Sequence, residues 1–185
     1  MVYIAVPENQ DFYDKHRAPA GHVPNYVSAF AARPAVFDAW LQLNAAVKAS
    51  MDLRRYEIAT FAAATALKSS YCSLAHGQIL TNNFYTADEV TEFAGETADD
   101  PVDRAVMAFA RKVALAADTV TQEDVDELKA HGLGDDDVLD VVLAAAARCF
   151  FSKTLDGTGT QPDSVFNALP ETLRTALTVG RPIES

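Results

Sequence analysis

Cys72 and His76 stand four residues apart in the run Ser69-Ser70-Tyr71-Cys72-Ser73-Leu74-Ala75-His76. On a helix that spacing puts a thiol and an imidazole on one face, about one turn apart. The thiolate is the nucleophile of cysteine chemistry, and at a free-cysteine pKa of ~8.5 only about 3% is ionised at neutral pH. Lowering that pKa to ~6.5 raises the thiolate about 25-fold. The nucleophilicity lost along the way costs roughly eightfold, so ionisation alone nets about threefold. The larger gain has to come from positioning and proton delivery, where a general acid–base group supplies typically ~10²–10⁴. His76 is available to take the thiol proton and hand it to a leaving alkoxide or hydroxide. Glu57 is available to orient the imidazole, directly or through a water. Cys72 lies near a helix start, where the dipole favours a thiolate. Ser69, three residues before Cys72, offers a hydroxyl.

Each of these residues also has a structural explanation. Cysteine is among the most buried residue types. A lone His on a helix is commonly a surface or hydrogen-bonded residue. Glu57 suits the positive end of its helix, and Ser69 suits a helix cap. Spacing alone leaves the two readings open.

The elements that must position these residues are helical. Pro34 suits the first turn of a helix to about Ser50, whose Val36, Phe37, Trp40, Leu41, Leu43, Ala46 and Val47 recur at helical spacing. Asp52 caps a helix over about Leu53 to Leu67, and a polar break at Lys68, Ser69 and Ser70 precedes another over about Tyr71 to Asn82. Thr86 with Glu89 forms a capping-box pattern. Asp100 with Pro101 opens a further helix, and Thr121 opens one that Gly132 ends. Asp135 to Asp137 open a long apolar helix toward Thr154, broken by Gly157 and Gly159, and a short helix fits Pro170 to Leu177. No period-2 alternation marks a strand. The chain therefore reads as all-α, with about seven or eight helices. Residues 1–22 form an irregular N-terminal arm, 23–185 the helical domain, and a short tail follows from about 178.

Composition narrows the partners. The 185 residues carry 15 Lys and Arg against 26 Asp and Glu, a net charge of −11. Such a surface repels nucleic acid and anionic membranes. The two cysteines, Cys72 and Cys149, do not form a secreted disulfide framework. Met1 to Gln10 shows no signal-peptide pattern, and no uncharged run of about 20 apolar residues marks a membrane span. The expectation is a cytoplasmic protein. His16, His22, His76 and His131 are dispersed, so no metal site is expected, and no cofactor either. Cys149, in VVLAAAARCFF, reads as a packing residue.

The order Glu57-x11-Ser69-x2-Cys72-x3-His76 resembles the signature of the alkylhydroperoxidase D (AhpD)-like proteins of the carboxymuconolactone decarboxylase superfamily. There the Glu is followed, after eleven residues, by Cys-x-x-Cys-x-x-x-His. Tyr71 and the Ala75-His76-Gly77 run are also similar. So are PAVFDAWLQLNAAV before the signature and the segment from Pro101 to Gly159, which looks like the peroxidase-related subgroup. In that subgroup the last core helix ends in a run like Asn-Arg-x-x-Asp-x-x-Gly. Here Ser152 and Lys153 replace the Asn and Arg, and Asp156 is kept. The resemblance covers roughly 24–165.

It implies a single-domain AhpD-like helical bundle that assembles as a dimer, trimer or hexamer. It makes Cys72 the peroxide-attacking cysteine and His76 and Glu57 its proton relay. Ser69 occupies the place of the resolving cysteine, so the intramolecular disulfide cycle is closed to this motif. What the resemblance leaves is a one-cysteine cycle, in which a hydroperoxide with an apolar tail oxidises Cys72 to sulfenic acid and an external thiol reduces it. The expected activity is therefore peroxiredoxin-like and antioxidant. Two alternatives stand beside it. One is a decarboxylase-like lyase acting on a lactone-type substrate through His76 and Glu57, with Arg54, Arg55, Lys68 or Arg111 meeting the substrate's charge. The other is a non-catalytic helical oligomer that has lost the redox activity.

Overall fold

A computed structural model describes residues 3–185, and among them the chain is all-α. Ten α-helices follow one another: α1 Gln10–Lys15, α2 Asn25–Phe30, α3 Pro34–Ser50, α4 Leu53–Ala66, α5 Ser70–Asn83, α6 Ala87–Ala94, α7 Pro101–Ala116, α8 Gln122–Ala130, α9 Asp135–Thr158 and α10 Glu171–Leu177. Short 3-10 turns lie at Ala117–Thr119 and Ser164–Ala168. The eight helices legible from capping and periodicity are α3 to α10, and α1 and α2 are additional. Met1 and Val2 of the N-terminal arm lie outside the described residues. The rest of the arm contains α1, where Asn9 accepts the Phe12 N–H at 3.3 Å and buried Phe12 meets the Phe37 ring edge-on at 5.6 Å.

α4 is the hub. Every residue from Tyr56 to Ala64 on it is buried. The alanines at 59, 62, 63 and 64 keep its surface shallow, so α5, α7 and α9 all pack against it. Phe61, fully buried there, contributes about 1.5–3 kcal/mol by the usual transfer scale. No helix among the described residues is long and apolar enough to cross a membrane.

The α4–α5 turn sets the position of the motif. Lys68 has φ +57°, a left-handed conformation usually given to glycine. The Ser69 N–H bonds back to the Ala64 carbonyl and the Lys68 N–H to the Thr65 carbonyl, each at 3.0 Å. This is a Schellman ending, and it satisfies carbonyls that α4 would otherwise leave open. Ser69 then becomes the N-cap residue of α5, which places Cys72 in the first turn and His76 one turn later. α5 is pinned at two points. Tyr71 donates its hydroxyl to Asp163, and the Gly180 N–H donates to Ser70 Oγ at 2.7 Å. Gly77 lets α10 close on α5, since a Cβ there would sit 2.3 Å from Leu177 Cδ1.

α9 begins with Asp135, Asp136 and Asp137 at the positive end of its dipole. The break expected at Gly157 and Gly159 occurs only at Gly159, whose φ of +78° ends the helix in a second Schellman turn. Gly157 remains inside the last turn of α9.

Candidate functional site

The motif residues come from two helices and gather in the core. Glu57 lies on α4, and Cys72 and His76 on α5; all are buried. His76 Nδ1 lies 2.6 Å from Glu57 Oε2. The Thr60 hydroxyl is 3.3 Å from the same nitrogen and already donates to the Tyr56 carbonyl at 2.7 Å, so it adds a second acceptor. On the other side of the carboxylate, Lys48 Nζ of α3 lies 3.0 Å from Glu57 Oε1.

The charges of this group follow from that geometry. Burial pushes the Glu57 carboxyl upward, but His76 and Lys48 outweigh it and hold the carboxyl below its ordinary range. Glu57 is therefore an anion that accepts, which puts the proton of neutral His76 on Nδ1. Burial, and next the positive charge of Arg148, push the imidazole down, and Glu57 only partly offsets them. His76 rests neutral, with Nε2 as its basic nitrogen. Among the described residues Nε2 makes no hydrogen bond.

Cys72 has a partner that the motif does not contain. Arg148 Nη1 of α9 lies 3.4 Å from Cys72 Sγ. Arg148 is itself buried. Its guanidinium lies 5.6 Å from the Trp40 ring centroid and 5.5 Å from that of Phe151. Its charge also acts on the Tyr56 phenol, whose own hydroxyl donates to Asn44 Oδ1 at 2.5 Å. Among the described residues no hydrogen bond joins Cys72 directly to His76.

Ser69 is buried beside the Cys72 turn but turns to another group. Its hydroxyl faces the Asp156 carboxyl, which burial raises and which Ser69 and then Arg181 pull back. Cys149, half-buried on α9, has its thiol 3.7 Å from the Ala114 carbonyl, and burial pushes that thiol up. Both cysteines are free.

Sequence spacing thus locates Glu57, Cys72 and His76 together. It does not locate Lys48, Tyr56, Thr60 or Arg148. Arg148 had one signal, a lone cation inside the apolar run VVLAAAARCFF. The cations weighed for a charged substrate lie elsewhere. Arg54 pairs with Asp103 at 2.9 Å, Arg55 with Asp137 at 2.5 Å, and Arg111 donates to the Phe93 carbonyl at 2.8 Å. Lys68 forms the α4–α5 turn.

A surface depression of about 500 Å³ also lies away from the motif, lined by Arg104, Phe109, Lys112, Asp124, Glu127 and His131.

Comparison with known proteins places the fold. The profile of the carboxymuconolactone decarboxylase family matches residues 34–116, from α3 through α7. That span holds Lys48, Glu57, Cys72 and His76 and ends before Arg148. An AhpD-core, uncharacterized peroxidase-related protein from Ralstonia eutropha JMP134 is 26% identical, with a TM-score of 0.78 over 89% of this chain and 94% of its own. A peroxidase-related protein from Silicibacter sp. TM1040 shares the fold at 18% identity, with a TM-score of 0.76 over 90% of this chain and 94% of its own. The debrominase Bmp8, solved in complex with 2,3,4-tribromopyrrole, shares it at 19% identity, with a TM-score of 0.69 over 83% of each chain. No curated protein matches the sequence.

Proposed function

The chain belongs to the AhpD/carboxymuconolactone decarboxylase superfamily, and on that premise we propose that it reduces a hydroperoxide through Cys72 alone, with His76 and Glu57 relaying the proton. The observation that carries this reading is the 2.6 Å contact between Glu57 and His76, one turn beyond a cysteine in the first turn of α5. An anionic Glu57 fixes the imidazole tautomer that leaves Nε2 free to accept a proton.

The step balances as follows. His76 Nε2 takes the Cys72 proton, and the sulfur attacks the terminal peroxide oxygen. An S–O bond forms, the O–O bond breaks, and the leaving alkoxide recovers the proton from His76 as an alcohol. Cys72 ends as a sulfenic acid and the peroxide is reduced. One external thiol then displaces water to give a mixed disulfide. A second thiol releases Cys72 and leaves as a disulfide. Ser69 takes no part in the electron transfer, because an oxygen at that position forms no disulfide.

The burial of Cys72, and the Trp40 and Phe151 rings packed on the adjacent Arg148, favour a hydroperoxide with an apolar tail. The decarboxylase-like reading keeps one specific support, the family profile itself. It uses His76 and Glu57 without the thiol.

Turnover of an alkyl hydroperoxide with a small-molecule dithiol tests the proposal. Wild type should consume peroxide and Cys72→Ser should not. His76→Ala should lose about 10²–10⁴ in rate, the range of a positioned acid–base group. Lactone decarboxylation that persists in Cys72→Ala would instead establish the lyase.

A further inference from the structure

Arg148 is a buried charge that no carboxylate among the described residues pairs with. A buried guanidinium costs several kcal/mol unless something offsets it, and the usual offset is a carboxylate. Among the described residues none ion-pairs with it. Glu57, the nearest carboxylate of the site, is already held between Lys48 and His76. Asp140 on the same helix accepts from Ser50 at 2.6 Å. What Arg148 does meet is a sulfur at 3.4 Å, a phenol and two aromatic rings. Of the ionisable groups among these, a thiol is intrinsically more acidic than a phenol, ~8.5 against ~10. The rings and Tyr56 fix the guanidinium plane, so the fork is preorganised toward Cys72.

We propose that Arg148 is a further catalytic group of this site, the counter-cation that holds Cys72 as a thiolate and keeps its sulfur aimed for attack. This rests on Cys72 being the nucleophile, as argued above. Every charged or titratable group around the sulfur fits the assignment. Arg148 of α9 bonds it directly, and the first-turn amides of α5 add partial positive charge. His76 of α5 rests neutral. On α4, Tyr56 stays protonated because burial raises its phenol, and Glu57 is balanced by Lys48 of α3. The same arginine pushes His76 toward its neutral form, second only to burial. One cation therefore favours the thiolate and discourages the imidazolium. The Cys72 proton accordingly passes through His76 to solvent before attack, and His76 Nε2 relays one back from solvent to the leaving alkoxide.

The test is the rate at which iodoacetamide alkylates Cys72 across pH, in a Cys149→Ala background so that one thiol reports. Arg148→Met should slow alkylation at neutral pH by about threefold, because a loss of thiolate of roughly 25-fold is offset about eightfold by the greater nucleophilicity of the less acidic sulfur. At alkaline pH, where any thiol is ionised, the variant should match or exceed the parent rate, because its sulfur is then the more nucleophilic. Arg148→Lys should fall between them, because it restores the charge without the fork. Thiolate ultraviolet absorbance of the Cys149→Ala protein keeps the claim testable if Arg148→Met fails to fold: at neutral pH the thiolate fraction should exceed that of a free cysteine. Equal neutral-pH rates with and without the arginine, or a slowing that persists at alkaline pH, would overturn the assignment. So would a wild-type thiolate fraction no greater than that of free cysteine. Alkylation is independent of peroxide. An arginine effect without peroxide turnover would retire the peroxidase reading and keep the ion pair, and turnover without the effect would do the reverse.

Discussion

At the scale of single residues the site depends on which side chain is charged. Glu57 does not touch the sulfur; its work is to be an anion beside His76 Nδ1. Glu57→Gln keeps the shape but lets the imidazole adopt the other tautomer. We expect peroxide turnover to fall about 10²-fold or more while the KM for peroxide changes little, because the loss lies in proton transfer. Steady-state kinetics check this. The same charges shape stability. His76 titrates in the folded chain below its ordinary value of 6.5. In the window just under 6.5 the unfolded chain therefore binds a proton that the folded chain refuses. Stability is full above that window and falls as pH drops through it. Glu57, depressed from 4.5, contributes a second loss at lower pH. Thermal scans at about pH 7.5 and about pH 5.5 should show a lower Tm at the acid end, and His76→Gln should flatten the difference. Cys149 neighbours Arg148 in sequence, but its thiol turns to the Ala114 carbonyl and takes no part in the proton relay, so Cys149→Ala should retain full turnover.

At the scale of elements the prediction concerns the turn that delivers Ser69 and Cys72. Lys68 sits at φ +57°, a conformation costing an L-residue about 1–2 kcal/mol. Lys68→Gly should raise Tm by about 2–4 °C, measured by calorimetry. Gly77→Ala should do the opposite, costing about 1–3 kcal/mol, because the added methyl lands 2.3 Å from Leu177 Cδ1. Leu177→Ala should partly rescue it in a double-mutant cycle. Much of this layer was legible in the sequence. Asp52, Thr86, Asp100 and Thr121 announce helix starts through their caps, and each start lies where the cap implies. The Lys68 turn was visible only as a polar break, because its left-handed residue is not a glycine. Gly157 suggested a break that α9 passes over, since one interior glycine costs only about 1 kcal/mol against the packing of a 24-residue helix. Glu57, Cys72 and His76 were legible because their partners lie within twenty residues in sequence. Arg148 was not, because it is 76 residues from Cys72 and nothing local shows which helices will meet.

At the scale of the whole molecule, α3 and α9 lie side by side, with Trp40 and Phe150 ring centroids 5.7 Å apart. Their outer faces carry exposed Val36 and Leu43 on one helix and Leu139, Leu143 and Phe150 on the other, each set at helical spacing. On a chain of net charge −11 such an apolar band suits association with another copy. We therefore expect a homo-oligomer, and Leu143→Glu should shift it toward monomer in sedimentation velocity. The central claim concerns one sulfur, and a single turnover tests it most directly. Reduced protein mixed with a stoichiometric alkyl hydroperoxide, without any reductant, should yield one alcohol per chain and a mass gain of one oxygen confined to Cys72. Alcohol formation no greater than that of Cys72→Ser, or oxidation spread equally over Cys149, would contradict the account.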